Sequence, residues 1–341
     1  MINSPSNNHS VVLGYWLLFC AAMVYLMIVV GGITRLTQSG LSMVEWAPIM
    51  GIIPPLNEMQ WLEVFEKYRT SPEYLKVNAG MSLQAFKQIF YWEYGHRVLG
   101  RVIGMIYLFP LLYFVARGMV PRAWSGRLVF LFVLGGLQGL MGWYMVKSGL
   151  VDIPRVSHYR LAAHFGLAVI IFSLMFWYAM DFLRGERRML SVSNKYLEAT
   201  GMVVGLVFLM MLSGAFVAGT KAGFIMNTFP TMNGQWLPDG LLAMTPLWRN
   251  LFDNAITVQF THRLIAVLLI CAIANCFIIA SRQRFKTNVG VLVLLLIVQV
   301  SLGISALVYR VPVALGAAHQ AGAVALLSAA LYVAHRARKT A

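Results

Sequence analysis

The chain has 341 residues, 59% of them apolar and 11% charged, with a mean hydropathy of +0.71. Soluble domains average about 45–50% apolar and about 25% charged residues, so these values rule out disordered and fibrous chains and leave a soluble enzyme without the polar surface it needs. The formal net charge of +15 would point to nucleic acid in a soluble chain. Here the cations cluster in short connections between apolar runs, as membrane orientation requires, and no basic face with interleaved aromatics offers itself to nucleic acid.

A membrane span takes about 20 apolar residues, and eight such runs follow one another at 11–33, 96–116, 127–146, 160–183, 198–219, 260–280, 287–308 and 313–334. The first lacks the basic start and cleavage site of a signal peptide and is read as a retained span. A long connection, 34–95, follows it. Within that connection Trp61, Leu62, Phe65 and Tyr68 recur at helical spacing among Glu63, Glu66 and Lys67, which predicts an amphipathic helix lying on the outer surface. The segment 220–259 is its smaller counterpart.

The connections after spans two, four and six are short and basic: Arg117, Arg122 and Arg127; Arg184, Arg187, Arg188 and Lys195 around Glu186; Arg282, Arg284 and Lys286. The tail adds Arg336, Arg338 and Lys339. The positive-inside rule places both termini in the cytoplasm and the long connections outside. Cys20, Cys271 and Cys276 all lie inside apolar runs, which argues against a loop disulfide or a thiolate metal site.

The two halves of the chain match in order. Gly31-Gly32-Ile33 followed by Ser39-Gly40 pairs with Gly214-Ala215-Phe216 followed by Ala222-Gly223. Glu93, His96 and Arg97 pair with Gln259, His262 and Arg263; Gln138 and Gly142 pair with Gln299 and Gly303; His164 pairs with His319. This order predicts a duplicated four-helix unit, repeated in parallel.

His9 and His335 read as solvated or interfacial, and His158 as a residue at a helix mouth. His96, His164, His262 and His319 fall on the even-numbered spans, each near its outer end. An isolated intramembrane histidine is as often a hydrogen-bonding partner between helices, but four at matched depth, two per unit, point to ligation. Zinc takes four ligands, whereas two imidazoles on facing helices suit the axial positions of a heme iron. Two bis-histidine heme sites are therefore expected. Gly95, Gly100, Gly104 and Gly166 thin the helix walls, either for a flat macrocycle or for close helix packing.

One matched position differs in chemistry. Glu93 lies one turn before His96, on the same side of the helix, and its counterpart is the uncharged Gln259. A carboxyl group buried beside a heme is expected to have a raised pKa and to exchange protons, although pairing with Arg97 is the alternative. Arg97 and Arg263 are candidates for binding heme propionates or for snorkelling outward.

With these residues in place, the sequence resembles the heme A synthase family, in the branch shared by proteobacteria and mitochondria. The resemblance runs along nearly the whole chain and is carried by GGITRLTQSGLSMVEW (31–46), FKQIFYWEYGHRVLGR (86–101), GLQGLMGWYMVKSGL (136–150), SHYRLAAHF (157–165), AGFIMNTFPTM (222–232), QFTHRL (259–264) and AAHQAGA (317–323). It implies an all-α, eight-helix membrane fold of two four-helix bundles related by a pseudo-two-fold axis, divided as 1–190 and 191–341. It also implies oxidation of the C8 methyl of heme O to a formyl group, giving heme A in two successive steps. By the same resemblance His262 and His319 hold a heme b, His96 and His164 hold the substrate heme, and Glu93 is the essential glutamate. The first outer loop lacks the cysteine pair of some members. The implied setting is the inner membrane, with heme O synthase, terminal oxidase assembly proteins, a redox partner and a second copy of the chain as partners. The competing readings are a di-heme b-type cytochrome that only carries electrons and a heme transporter or chaperone. The first does not account for Glu93 against Gln259 or for the long first loop; the second would account for the thinned helices and the repeat.

Overall fold

The computed structural model describes residues 7–45, 52–149, 156–184, 193–281 and 286–338, and these form helices and loops with no strand. The helices are α1 (Asn7–Leu36), α2 (Glu58–Arg69), α3 (Pro72–Lys76), α4 (Leu83–Ala116), α5 (Arg122–Gly149), α6 (His158–Arg184), α7 (Asn194–Thr220), α8 (Asn250–Asp253), α9 (Ala255–Ser281), α10 (Lys286–Val308) and α11 (Val313–Ala337). Eight of them, α1, α4–α7 and α9–α11, are long and apolar enough to cross a membrane. The chain is a multi-pass membrane protein. Arg187, Arg188, Glu186, Arg282, Arg284 and Lys339 of the predicted inner connections lie outside the described residues, as does the boundary at 190/191.

Packing follows two closed circuits. In the first, α1 packs on α4, α4 on α5, α5 on α6 and α6 back on α1; in the second, α7 packs on α9, α9 on α10, α10 on α11 and α11 back on α7. Each circuit sets its second and fourth long helices diagonally across a common centre: α4 faces α6, and α9 faces α11. The circuits join where α6 meets α7 and α11, and where α1 meets α11. There Tyr25 donates to the Ala321 carbonyl (2.9 Å) and Gln320 to that of Ile28 (2.7 Å).

Three expectations change at the membrane borders. Span two was expected from 96, but α4 begins at Leu83, capped by Ser82, whose hydroxyl accepts from the Ala85 N–H. Its extra turns project about 18–20 Å beyond the level of His96, at 1.5 Å per residue. They are helical because Phe86 and Phe90 are covered by Trp61, Phe65 and Tyr68 in one buried aromatic cluster. The helix expected to lie on the outer surface is α2, capped by Asn57, and Trp61, Phe65 and Tyr68 of its apolar stripe pack on α4, while Leu62 stays exposed. His335 is not solvated. It is 2% exposed, and its Nε2 pairs with Asp181 of α6 at 2.8 Å, with Arg338 on the same carboxylate and the Trp177 ring 4.9 Å away. A carboxylate packed between two circuits requires such partners, and they tie the inner ends of α6 and α11 together.

Among the described residues the cysteines form no disulfide. Cys20 and Cys276 are buried, and Cys271 is exposed.

Candidate functional site

All four histidines of the repeat meet a glycine on a neighbouring helix of their own circuit. A Cβ added at Gly31 would lie 3.0 Å from Cε1 of His96; at Gly142, 3.1 Å from that of His164; at Gly214, 3.4 Å from that of His262; and at Gly303, 2.8 Å from that of His319. These glycines are the ones that mark the repeat. At Gly31, Gly142 and Gly303 an added methyl would press on the imidazole, while at Gly214 it would only touch it, so the small residues let the rings lie against the helix wall. The glycines first singled out behave differently. Gly95 and Gly104 face open space, while Gly100 and Gly166 meet Met27 and Leu212.

The repeat glutamines hold the backbone beside the ligating candidates. Gln138 donates to the His164 carbonyl at 3.1 Å and Gln299 to the His319 carbonyl at 2.9 Å. His96 lies within electrostatic reach of His164, and His262 of His319. The Nδ1 atoms of His96, His164 and His319 are buried with no hydrogen-bond partner among the described residues. His262 differs, because its Nδ1 is 2.8 Å from the Ser213 hydroxyl. The first half carries Val30 at the matching position, one residue before Gly31.

No group of three or more His, Cys, Asp or Glu side chains gathers to chelate a bare metal ion among the described residues. Two imidazoles per circuit, set on diagonal helices and seated on glycine, fit an iron whose remaining ligands come from a macrocycle.

Glu93 is 3% exposed and lies in an ion pair. Arg97 reaches Oε1 at 2.6 Å, while the Ser42 hydroxyl and the Met43 N–H donate to Oε2 at 2.7 and 2.8 Å. Glu93 is thus buried, as expected, and paired with Arg97, the alternative partner. Arg97 also donates to the carbonyls of Met43 and Glu45. The second half repeats this with an amide: Gln259 donates to Ala222 O at 2.9 Å and accepts from Arg263 at 3.4 Å. Arg263 in turn donates to the carbonyls of Met226, Thr228, Pro230 and Thr231. Both arginines, candidates for propionate binding or for snorkelling outward, direct these donors at the carbonyls of the outer loop of their own half.

His158 pairs through Nε2 with Asp253 of α8 at 2.8 Å, across the junction of the two halves. Burial pushes the Asp253 carboxyl up, but Arg249, Tyr159 and His158 together hold it below its ordinary value. Sequence reasoning missed Ser42, Ser213 and Glu73. Serine and a lone glutamate carry no spacing signal; the turn after α1 docking on α4 brings in Ser42, the packing of α7 on α9 brings in Ser213, and the burial of α3 brings in Glu73.

The model of the cytochrome oxidase assembly protein family matches residues 14–331. Among similar proteins, a heme A synthase of Nitrosospira multiformis is 51% identical over 331 residues, covering 95% of this chain and 93% of that protein. One of Parvibaculum lavamentivorans is 46% identical over 336 residues, covering 98% and 96%. The heme A synthase of Bos taurus is 42% identical over 353 residues, covering 99% and 85%.

The chain belongs to the heme A synthase family.

Within this member of the heme A synthase family, the glycine contacts give a graded test. Gly303→Ala places a methyl 2.8 Å from the His319 ring, and Gly214→Ala places one 3.4 Å from that of His262. The first is closer than packed carbon atoms approach, and the second is near contact distance. Gly303→Ala is expected to weaken ligation in the second half by about 10–100-fold, the usual cost of disturbing a ligand's support. Gly214→Ala should stay close to wild type. Heme content and absorption spectra of the two purified variants check this order.

Proposed function

We propose that this chain converts heme O to heme A by oxidising the C8 methyl to a formyl group in two successive steps, and that the first half performs the reaction. The observation that carries this division is the contrast between matched positions: both halves seat a histidine pair on glycine, but only the first places a carboxylate, Glu93, one turn from a ligand. In the second half Gln259 keeps the shape without the charge.

His262 and His319 are proposed to hold a resident heme b, which when bound supplies electron transfer. The Ser213 hydroxyl on His262 supports permanence there, since a bonded Nδ1 fixes ring orientation. His96 and His164 are proposed to hold the substrate iron; Val30 gives His96 no such bond, which suits a group that must enter and leave. Withdrawing electrons from a methyl carbon toward a redox partner makes its hydrogens acidic, and Glu93 is proposed as the base that takes up the protons. The Arg97 guanidinium and the Ser42 hydroxyl orient that carboxylate. Arg97 and Arg263 tie the outer loop of each half to the helix that carries its first histidine.

The proposed orientation puts the termini in the cytoplasm of a bacterial inner membrane and both histidine pairs toward the outer face. The basic residues Arg117, Arg122, Arg127, Lys195 and Arg338 at the opposite helix ends support it. Heme O synthase, oxidase assembly proteins, a redox partner and a second copy of the chain remain the proposed partners.

The deciding experiment is extraction and mass identification of hemes from membranes lacking, then regaining, this protein. Restored heme A, with heme O consumed, is the expected result. Heme b alone would leave an electron carrier, and unchanged heme O with no product would leave a transporter.

A further inference from the structure

The docked outer helices bury a carboxyl group that the proposed reaction does not use. Glu73, on α3, is 6% exposed, and the Tyr68 hydroxyl donates to its Oε2 at 3.3 Å. Among the described residues no cation forms an ion pair with it, in contrast to Glu93 with Arg97. Tyr68 is fully buried, stacks on Phe86 of α4 (4.9 Å between ring centres) and accepts from Asn78 at 2.7 Å.

Phe86, Phe90 and Glu93 are spaced i, i+4 and i+7, so they form one stripe on α4. The aromatic residues of that stripe lie under α2, and Glu93 continues it inward by about 10 Å from Phe86. The groups facing Glu73 are Tyr68 from α2, Asn78 from the following turn and, at longer range, Glu93 with its partner Arg97 from α4. Lys87 of α4 is turned onto the Trp61 ring (5.1 Å), and Tyr74 and Lys76 share the short helix α3 with it. Burial and the negative charge of Glu93 push the Glu73 carboxyl up to about 7, against a smaller opposing effect of the Tyr68 bond.

We propose that Glu73 is a positioning residue for the first-half site, a proton-holding carboxyl coupled by charge to Glu93. The proposal rests on Glu93 being the base. When Glu93 takes a proton from the substrate, its negative charge disappears and Glu73 no longer feels it. Glu73 then shifts toward its carboxylate form, giving up part of its bound proton to the outer solvent. A midpoint that starts near 7 and falls by about one unit releases at most about half a proton near neutrality, so the charge lost at Glu93 is offset in part and no proton passes directly between the two carboxyls. A carboxyl held above its unfolded value also stabilises the fold at low pH and loses that contribution as pH rises through 7. The docking of α2 and α3 therefore loosens above neutrality.

The test is an infrared titration of the purified full-length protein from pH 5 to 9, reading the C=O stretch of protonated carboxyl groups. Wild type is expected to lose one such band with a midpoint near 7. Glu73→Gln should lack that band. In Glu93→Gln the midpoint should fall by about one pH unit, the coupling of charges about 10 Å apart at an effective dielectric of about 20. A band that persists in Glu73→Gln, or a midpoint unmoved in Glu93→Gln, overturns the proposal. Should Glu73→Gln not fold, Tyr68→Phe serves instead: it removes the donor to the carboxylate and should move the midpoint up, and an unmoved midpoint overturns the proposal equally. Heme A formation against pH supplies the second readout. An inflection near 7 should vanish in Glu73→Gln and return in Glu73→Asp; its persistence in Glu73→Gln counts against the role. A wild type that titrates as expected but forms no heme A would defeat the proposed reaction and leave the coupled pair standing.

Discussion

His262→Ala and His319→Ala proteins are expected to lose the low-spin b-type spectrum, while His96→Ala and His164→Ala proteins keep it. Disturbing only the support of a ligand costs about 10–100-fold in affinity, so deleting the ligand itself should exceed that range and leave the second half empty on purification. Folding should survive, because neither ring is a main packing element: each rests on a glycine, Gly214 or Gly303, and the buried core lies elsewhere, around residues such as Leu269, Ile273, Leu327 and Leu331. Ser213→Ala should give an intermediate result, since it frees the His262 Nδ1 without removing the ligand. The measurement is heme per chain with the absorption spectrum of the reduced protein. An unchanged spectrum in both His262→Ala and His319→Ala would refute the second-half assignment. Loss of the same spectrum in His96→Ala would reverse the order of the halves.

The second large effect belongs to Glu93. Glu93→Gln should lower heme A formation by roughly 10²–10⁴, the usual contribution of a general base, with heme O or its alcohol accumulating on a protein of normal heme b content. The structure adds a cost that the sequence did not contain. Glu93 accepts from Arg97, Ser42 and Met43, and an amide can present only one oxygen to these donors. One donor is left facing an NH₂ group, at a cost of about 1–3 kcal/mol. The second half shows that a glutamine can occupy this place beside an arginine, because Gln259 does so against Arg263, so the variant should still fold. Ser42→Ala separates the two effects: it removes one bond to Glu93 and leaves the base, so turnover should fall by less than about tenfold. Heme composition of membranes carrying each variant decides the matter. Wild-type heme A from Glu93→Gln would remove the first half's claim to the chemistry.

Apolar run length alone determined that eight helices cross the membrane. A predominantly apolar run of about 20 residues has no other low-energy state in a bilayer, and each of the eight runs falls within one long helix. The four matched histidines were legible for a related reason: a polar ring at membrane depth is costly enough that its recurrence carries information. Their glycines were visible as repeat markers, but not their task, because contact between Gly31 and His96 or between Gly303 and His319 depends on which helices become neighbours. Gly95 and Gly104 look equally small in the sequence and touch nothing. The outer turns of α4 could not be read from hydropathy either, since Phe86 and Phe90 gain their burial from α2, a partner more than fifteen residues away. The same holds for charge. His335 looked interfacial among arginines until Asp181 met it across the junction of α6 and α11. Arg97 was a visible candidate partner for Glu93, but not Ser42 and Met43, which the turn after α1 brings onto it, and Glu73 gave no sign at all. The ionisation and hydrogen bonding of a buried group depend on what surrounds it in space, and for these residues the surroundings come from distant parts of the chain, so only the tertiary structure decided them.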